Sequence, residues 1–385
     1  MRVLFWVQHL LGTGHLKRAA TLARALSAQG LKVTLASGGP PAPWLVPQGV
    51  ELVQLPWVRA RDLAFSALVD ASDRPLDDAL RAARRVQLLE LFRAFAPQVV
   101  ITEMFPFGRR AFRFELLPLL EAIAGTRPRP WLVGSVRDIL VRKSAPERCL
   151  WMRDLTLAHY DRVLVHTDPA LVPFGLTFPY AEALGARLVS TGYVVEPGAA
   201  AEDGPGGEVL VSAGGGRVGR ALLAAAIEAR PLSGLRDRPW RLVGGGDLDP
   251  TRIAELQAGL PPGLVVERQR DDFQALLAKC LLSVSQAGYN TVVEVLRLGK
   301  PMVLVPFETA TETEQRIRAE RLTGLGLAET VWGAELTPSS LARAIDRAVS
   351  RPSERRSGLD LDGAGTSARL IAALAARAAP AEPDG

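Results

Sequence analysis

The sequence predicts an α/β protein built from two tandem doubly wound, Rossmann-like domains with a cleft between them. Three observations carry that prediction. Short apolar runs alternate with Ala/Leu/Arg-rich stretches of helical spacing from one end to the other. The runs are continuously apolar rather than alternating, which marks strands buried on both faces, hence parallel sheets covered by helices. The plan also starts twice. RVLFWVQHLLGTGHLKRAATLARAL, and about 206 residues later EVLVSAGGGRVGRALLAAAIEA, each read as buried strand, glycine turn and amphipathic helix.

In the first half the expected strands are Val3–Val7, Val33–Ser37, Glu51–Leu55, Val99–Thr102, Trp131–Val136 and Val163–Thr167. Leu16–Gln29 carries apolar residues at helical spacing. The stretch Glu196–Gly207 is rich in Gly, Pro and Ala, has no apolar period and marks the boundary. Residues 1–197 therefore form one domain and residues 208–350 the second. In the second half the strands are Val209–Ala213, Arg241–Val243, Val265–Arg268, Leu282–Ser285 and Met302–Pro306, with a helix over Arg220–Ala229. Residues 351–385 are expected to hold one further helix, Ser367–Ala376, and a polar tail.

Composition removes several function classes. At 385 residues, 48% hydrophobic and 23% charged, the chain has the length and core of two ordinary domains. Its 46 Lys and Arg are 41 Arg and 5 Lys, scattered rather than clustered, against the pattern of a nucleic-acid tail. The charge divides unevenly: residues 1–197 carry 24 basic and 17 acidic groups, net +7, and the remainder 22 and 24, net −2. Composition alone accounts for such a split, and so does a first domain that faces an anion. No apolar run approaches the roughly 20 residues of a membrane span, and the N-terminus lacks a signal-peptide cleavage pattern. Cys149 and Cys280 give neither a disulfide framework nor a metal spacing, so a cytoplasmic location is expected.

The candidate site residues lie on turns that follow strands, where helix N-termini favour anions. Gly214, Gly215, Gly216 and Arg217 open a G-x-G-x-x-G turn suited to a diphosphate. The acid expected at the end of the next strand of a dinucleotide fold comes late, at Asp247, behind three glycines, which disfavours NAD. In the first turn, Gly12-Thr13-Gly14-His15, the helix start disfavours an imidazolium and keeps His15 a neutral base. A second-half run, Ser285-Gln286-Ala287-Gly288-Tyr289-Asn290-Thr291, ends a strand and opens a helix that Asn290 or Thr291 would cap. Glu294, one turn on, is within reach of a ribose diol, or else compensates the helix dipole. Glu314 and Gln315 head a later helix after Val305-Pro306-Phe307. Glu103, Arg109 and Arg137 follow strands of the first domain and are candidates for contact with a second substrate. Asp247-Leu248-Asp249 could hold a metal, but Asp249 before Pro250 is also a helix start, so no metal ligand is assigned.

Taken together, these segments resemble the GT-B glycosyltransferases, closest to the family 28, MurG-like branch. The resemblance covers the whole chain in architecture, with its specific motifs mostly in the second domain. It implies that His15 is the general base, and that Ser285, Ala287 and Gly288 shape the nucleotide turn with Glu294 on the ribose. It further implies that Glu314 and Gln315 contact the donor sugar. Where the family's second glycine loop carries a Ser for the diphosphate, this chain has Gly216 or Arg217. The implied reaction moves a sugar from a nucleotide diphosphate donor, a UDP-sugar of UDP-GlcNAc type, to an acceptor hydroxyl without metal or other cofactor. An anionic or lipid-linked acceptor, with peripheral membrane contact, would suit the basic first domain. The GTGHLKR run also resembles the nucleotide-sugar hydrolase of pseudaminic acid biosynthesis, through His15 and Arg18. There water would replace the acceptor. A third reading is a nucleotide-sugar binding protein without turnover.

Overall fold

The computed structural model describes residues 1–62, 66–141, 146–196, 198, 207–213, 219–244, 253, 257–268, 270, 272–308, 313–351 and 358–378. The chain divides into two compact units, Met1–Val194 with Asp360–Gly385, and Val195–Leu359.

The first unit opens with strand β1 (Arg2–Val7), helix α1 (Gly14–Ala28), β2 (Lys32–Ser37) and β3 (Glu51–Gln54). A small antiparallel hairpin, β4 (Arg59–Ala60) with β5 (Leu68–Val69), follows. Then come α2 (Asp78–Phe95), β6 (Val99–Glu103), α3 (Arg113–Gly125), β7 (Trp131–Arg137), α4 (Pro146–His159), β8 (Arg162–His166) and β9 (Leu188–Ser190). Seven strands pair in parallel in the order β3-β2-β1-β6-β7-β8-β9. This doubly wound order reverses direction between β1 and β6, and ligands of such sheets bind at that switch.

Alternation along β1 explains the two-sided burial. Val3, Phe5 and Val7 pack with Leu16, Ala19, Leu22, Ala23 and Leu26 of α1, while Leu4 and Trp6 face Leu88 and Phe92 of α2 and Leu116 and Leu120 of α3. Helix α1 ends at a glycine in the left-handed region, Gly30 at φ +76°. Asp77 caps α2, its carboxylate accepting from Leu80 N at 2.8 Å.

The second unit contains β10 (Val209–Ser212), α5 (Arg220–Ala229), β11 (Trp240–Gly244), β12 (Leu264–Arg268), α6 (Phe273–Lys279), β13 (Leu282–Ser285), α7 (Tyr289–Leu298), β14 (Met302–Leu304), α8 (Glu314–Gly324), β15 (Glu329–Thr330) and α9 (Pro338–Ser350). Its six strands are parallel in the order β12-β11-β10-β13-β14-β15, with the switch between β10 and β13. Thr337 starts α9 with a reciprocal cap to Ser340 and a proline at the first helical position. The expected doubly wound α/β class is therefore what both units display.

The last helix, α10 (Gly363–Ala378), which the sequence assigns to neither domain, belongs to the first unit. Ala368, Ile371, Leu374 and Ala375 complete the core beneath α1. Tyr193 N donates to Asp360 O at 2.8 Å and Gly363 N to Tyr193 O at 3.0 Å, which ties the returning segment down. Among the described residues no helix is long and apolar enough to cross a membrane.

Candidate functional site

His15 and Glu103 flank the switch point of the first sheet. His15 is the second residue of α1, which follows β1, and Glu103 ends β6. His15 Nδ1 lies 3.1 Å from Glu103 Oε1. A carboxylate can only accept, so this shorter contact is a hydrogen bond with the ring proton on Nδ1 and the lone pair on Nε2; Arg18 Nη2, which can only donate, stands farther from the same nitrogen at 3.3 Å. Arg18, one turn along α1 and nearly fully buried, pairs with the same Glu103 oxygen. Burial holds the His15 imidazole well below its ordinary range, and Arg109, Arg18, Arg137 and His9 add to the effect. At neutral pH His15 is thus an uncharged ring with a fixed tautomer, the state a general base requires.

Glu103 is not an outward-facing acceptor contact, as its place after a strand had suggested. Its side chain is fully buried and both oxygens are engaged, Oε1 by His15 and Arg18 and Oε2 by Ser135 Oγ at 2.8 Å. The sequence could not show this, because the partners come from α1 and β7, which lie far from it in the chain. Arg109 and Arg137 do stand near His15. Arg109 is half-buried, donates from Nε to Gln8 O at 2.7 Å and sits in the left-handed region at φ 57°. Burial, with Arg137 and Arg18 nearby, pushes it down to about 10, so it stays a cation. Non-glycine residues with positive φ are uncommon, and Met104 in the same loop is another. Gly14 is the first residue of α1.

Sequence reasoning missed the brace under these loops. Arg84, fully buried on α2, donates to Glu115 Oε2 at 2.7 Å and Oε1 at 2.8 Å, to Gln8 Oε1 at 2.9 Å, to Gly38 O at 3.0 Å and to Pro56 O at 2.8 Å. One guanidinium therefore fastens the loops that leave β1, β2 and β3. The only signal was an Arg on the apolar stripe of an amphipathic helix.

In the second unit, Ser285 ends β13 and is buried, and Ala287 is buried in the turn beyond it. The helix begins earlier than expected. Gly288 occupies the N-cap position with no side-chain cap, so Asn290 and Thr291 are first-turn residues rather than caps. An extended glycine lets the chain enter α7 two or three residues sooner. The first intrahelical bond is Val292 N to Gly288 O at 3.1 Å, and the amides ahead of it form the positive end of α7. Glu294 is almost fully buried and accepts from Gln274 Nε2 at 3.2 Å.

Glu314 does not point outward as a sugar ligand. It is buried against Arg318 Nη2 at 2.8 Å, and the same Arg318 donates to Ala287 O at 2.6 Å, bracing the turn between β13 and α7. An i,i+4 pair was too ordinary in sequence to separate from a solvated helix head. Gln315 accepts from Phe307 N at 3.0 Å, fixing the end of the segment after β14. Gln286, Val305, Phe307, Glu308 and Trp332 help line a cavity of about 580 Å³, within the range of small-molecule sites. Gly214, Gly215, Gly216, Arg217, Asp247 and Asp249 lie outside the described residues. Among the described residues no cluster suits a metal ion, and Cys149 and Cys280 are buried and form no disulfide.

Residues 215–359 match the glycosyltransferase family 28 C-terminal domain. The chain is 35% identical over 158 residues to the UDP-N-acetylglucosamine–N-acetylmuramyl-(pentapeptide) pyrophosphoryl-undecaprenol N-acetylglucosamine transferase of Syntrophotalea carbinolica, a match covering 39% of this chain and 42% of that one. It is 31% identical over 164 residues to an uncharacterized glycosyltransferase of Methanopyrus kandleri, covering 43% and 44%. The chain thus spans less than half the length of these curated relatives. Among solved structures, the calicheamicin glycosyltransferase CalG4 is similar with a TM-score of 0.65 at 21% identity, over 98% of this chain and 99% of that one. MurG of Acinetobacter baumannii is similar with a TM-score of 0.59 at 15% identity, over 98% and 100%. At such identities the likeness speaks to fold, and the fold is GT-B. The chain thus has the GT-B fold, and its residues 215–359 carry the glycosyltransferase family 28 C-terminal domain.

Proposed function

We propose that the protein transfers a sugar from a nucleotide diphosphate donor, a UDP-sugar of the UDP-GlcNAc type, to an acceptor hydroxyl without a metal ion. The observation that carries this reading is the neutral His15 held through Nδ1 on a buried carboxylate, with Nε2 left to accept a proton. In this reading His15 Nε2 takes the acceptor proton as the hydroxyl oxygen attacks the anomeric carbon, and the nucleotide diphosphate leaves. Glu103 balances the imidazolium that forms. A base so placed contributes roughly 10²–10⁴-fold.

The donor belongs to the second unit. Its diphosphate lies at the positive end of α7 and on the glycine turn Gly214–Gly216 with Arg217, whose amides and charge stabilise the leaving group. Glu294 receives the ribose hydroxyls, and Gln315 contacts the sugar. The acceptor belongs to the first unit, where Arg109 and Arg137 favour an anionic or lipid-linked molecule presented at the cytoplasmic face of a membrane.

The test is release of free nucleotide diphosphate from a panel of UDP- and TDP-sugars, with and without lipid-linked and soluble acceptors. Acceptor-dependent release of UDP supports the reading. Fast release of UDP and free sugar without acceptor would make the protein a hydrolase with water as nucleophile. Tight donor binding with no turnover under any acceptor would leave a binding protein.

A further inference from the structure

The C-terminal ends of β6, β7 and β8 carry an unbroken line of polar side chains on the face of the sheet that α1 and α10 cover. Glu103 and Ser135 are partners in the parallel register, and His166 lies opposite Arg137, two residues beyond Ser135. Strand alternation puts them on the same face as Ile101, Val133 and Leu164, which pack with α1 and α10. Polar groups at fully buried sheet positions are costly unless every one is satisfied. Here they satisfy one another. Ser135 Oγ lies 2.8 Å from Glu103 Oε2 and 2.9 Å from His166 Nε2, and His166 Nδ1 lies 2.9 Å from Thr191 Oγ1. Ser135, His166 and Thr191 are all buried.

The donors and acceptors can be assigned in only one direction. Ser135 has a single hydroxyl proton and the carboxylate can only accept, so that proton goes to Glu103. Ser135 must then accept from His166 Nε2–H. His166 is neutral, since burial pushes it down to about 3, so its Nδ1 accepts the Thr191 hydroxyl. The other acceptors of that hydroxyl, Gly192 O and Val165 O, are longer at 3.2 and 3.4 Å.

We infer that Thr191, His166 and Ser135 are positioning residues that act through Glu103, a one-way hydrogen-bond chain that fixes the proton of His15 on Nδ1 and its lone pair on Nε2. This inference rests on the transferase reading for its catalytic consequence and on the geometry alone for the tautomer. The link from these residues to His15 runs through Glu103, which Ser135 Oγ and His15 Nδ1 both meet. The groups that face or influence His15 are Glu103, Arg18, Arg109, Arg137 and His9, and the inference concerns how the first of these is held.

The experiment uses the full chain and the variants Ser135→Ala, Ser135→Thr and His166→Phe. Nitrogen-15 NMR of the imidazole rings reads the His15 tautomer directly and needs no turnover. The wild type is expected to show His15 protonated at Nδ1 alone, and the Ser135→Ala and His166→Phe variants a mixture of tautomers. Ser135→Thr, which keeps the hydroxyl, is expected to restore the single form. In the nucleotide-release assay, Ser135→Ala is expected to lower kcat about tenfold with little change in the donor KM. Its acid limb is expected to move to higher pH, because a carboxylate with one fewer hydrogen bond attracts the imidazolium more strongly. A merely structural role would leave that limb in place. An unchanged His15 tautomer in both Ser135→Ala and His166→Phe overturns the inference. A tautomer change in a protein with no turnover upholds it while the transferase reading fails.

Discussion

Glu103→Gln is the sharpest perturbation of the proposed chemistry, because it keeps the shape of the side chain and removes only its charge. The carboxylate lies 3.1 Å from His15 Nδ1. At an effective dielectric constant of about 20, a full charge pair at that distance attracts by roughly 5 kcal/mol. The pair exists only once His15 has taken a proton, so most of the loss falls on kcat rather than on KM. Part of the 5 kcal/mol returns because the amide oxygen still accepts from Nδ1–H, which puts the expected fall in kcat at about 10²–10⁴-fold. That matches in scale the loss of roughly 10⁴ when the aspartate of a Ser-His-Asp triad becomes asparagine. The same change strips Arg18 of its buried counter-charge, and removing one partner of a buried pair costs about 3–5 kcal/mol of stability. Nucleotide release gives kcat and KM, and urea unfolding of the same preparation gives stability. A folded Glu103→Gln protein with kcat within threefold of wild type would refute the assignment of Glu103 to His15.

Three further outcomes follow from other parts of the molecule. His15 and His166 bind protons less readily folded than at the ordinary value of 6.5, so the unfolded chain takes up more protons as the pH falls below 6.5. Stability is therefore full above 6.5 and declines toward acid, by up to about 1.4 kcal/mol per pH unit for each such histidine, buried His9 shifting in the same direction, and His166→Gln removes one histidine's share of the slope between pH 5 and 6.5 in denaturant titrations. At Gly38 a Cβ would collide with Gln8 Oε1 and Arg84 Nη2, so Gly38→Ala displaces the Arg84 brace and costs about 1–3 kcal/mol in thermal unfolding, with little change if the loops give way. Glu294→Ala removes the proposed ribose contact and raises the UDP-sugar KM about 10–100-fold, read by calorimetry or by initial rates, whereas an unchanged donor affinity assigns Glu294 to bracing Gln274 alone.

The strands were legible because both units bury them on two faces, and an apolar run such as Val99–Thr102 leaves little else to be. Edge pieces with little apolar content were not. Leu188–Ser190 and Glu329–Thr330 borrow their conformation from the strands they join. His15 was visible for its glycine turn, and the SQAG turn for its strand-to-helix setting. What sequence could not supply was pairing at a distance. Glu103 was read as facing a ligand from its place after a strand, and Glu314 as facing a sugar from the family resemblance, and a charged residue at a strand end or a helix head is usually exposed. Each is instead neutralised by an arginine from a helix, Arg18 and Arg318, and nothing local distinguishes a buried acid with a partner from a solvated one.

The return of α10 to the first unit has a consequence for how the protein comes to be folded. Ile371 and Leu374 sit beside Leu22 and Val33 in one core, so the chain leaves its first unit at Val194 and re-enters it only at Asp360. During synthesis, the unit that is begun first must wait for a helix made after the whole of Val195–Leu359, whose own sheet is continuous in the chain. The second unit needs nothing from outside Val195–Leu359, and the half that carries His15 is sealed only once α10 has been added. A chain truncated after Leu359 should display a protease-resistant second unit and a first unit still open along α1.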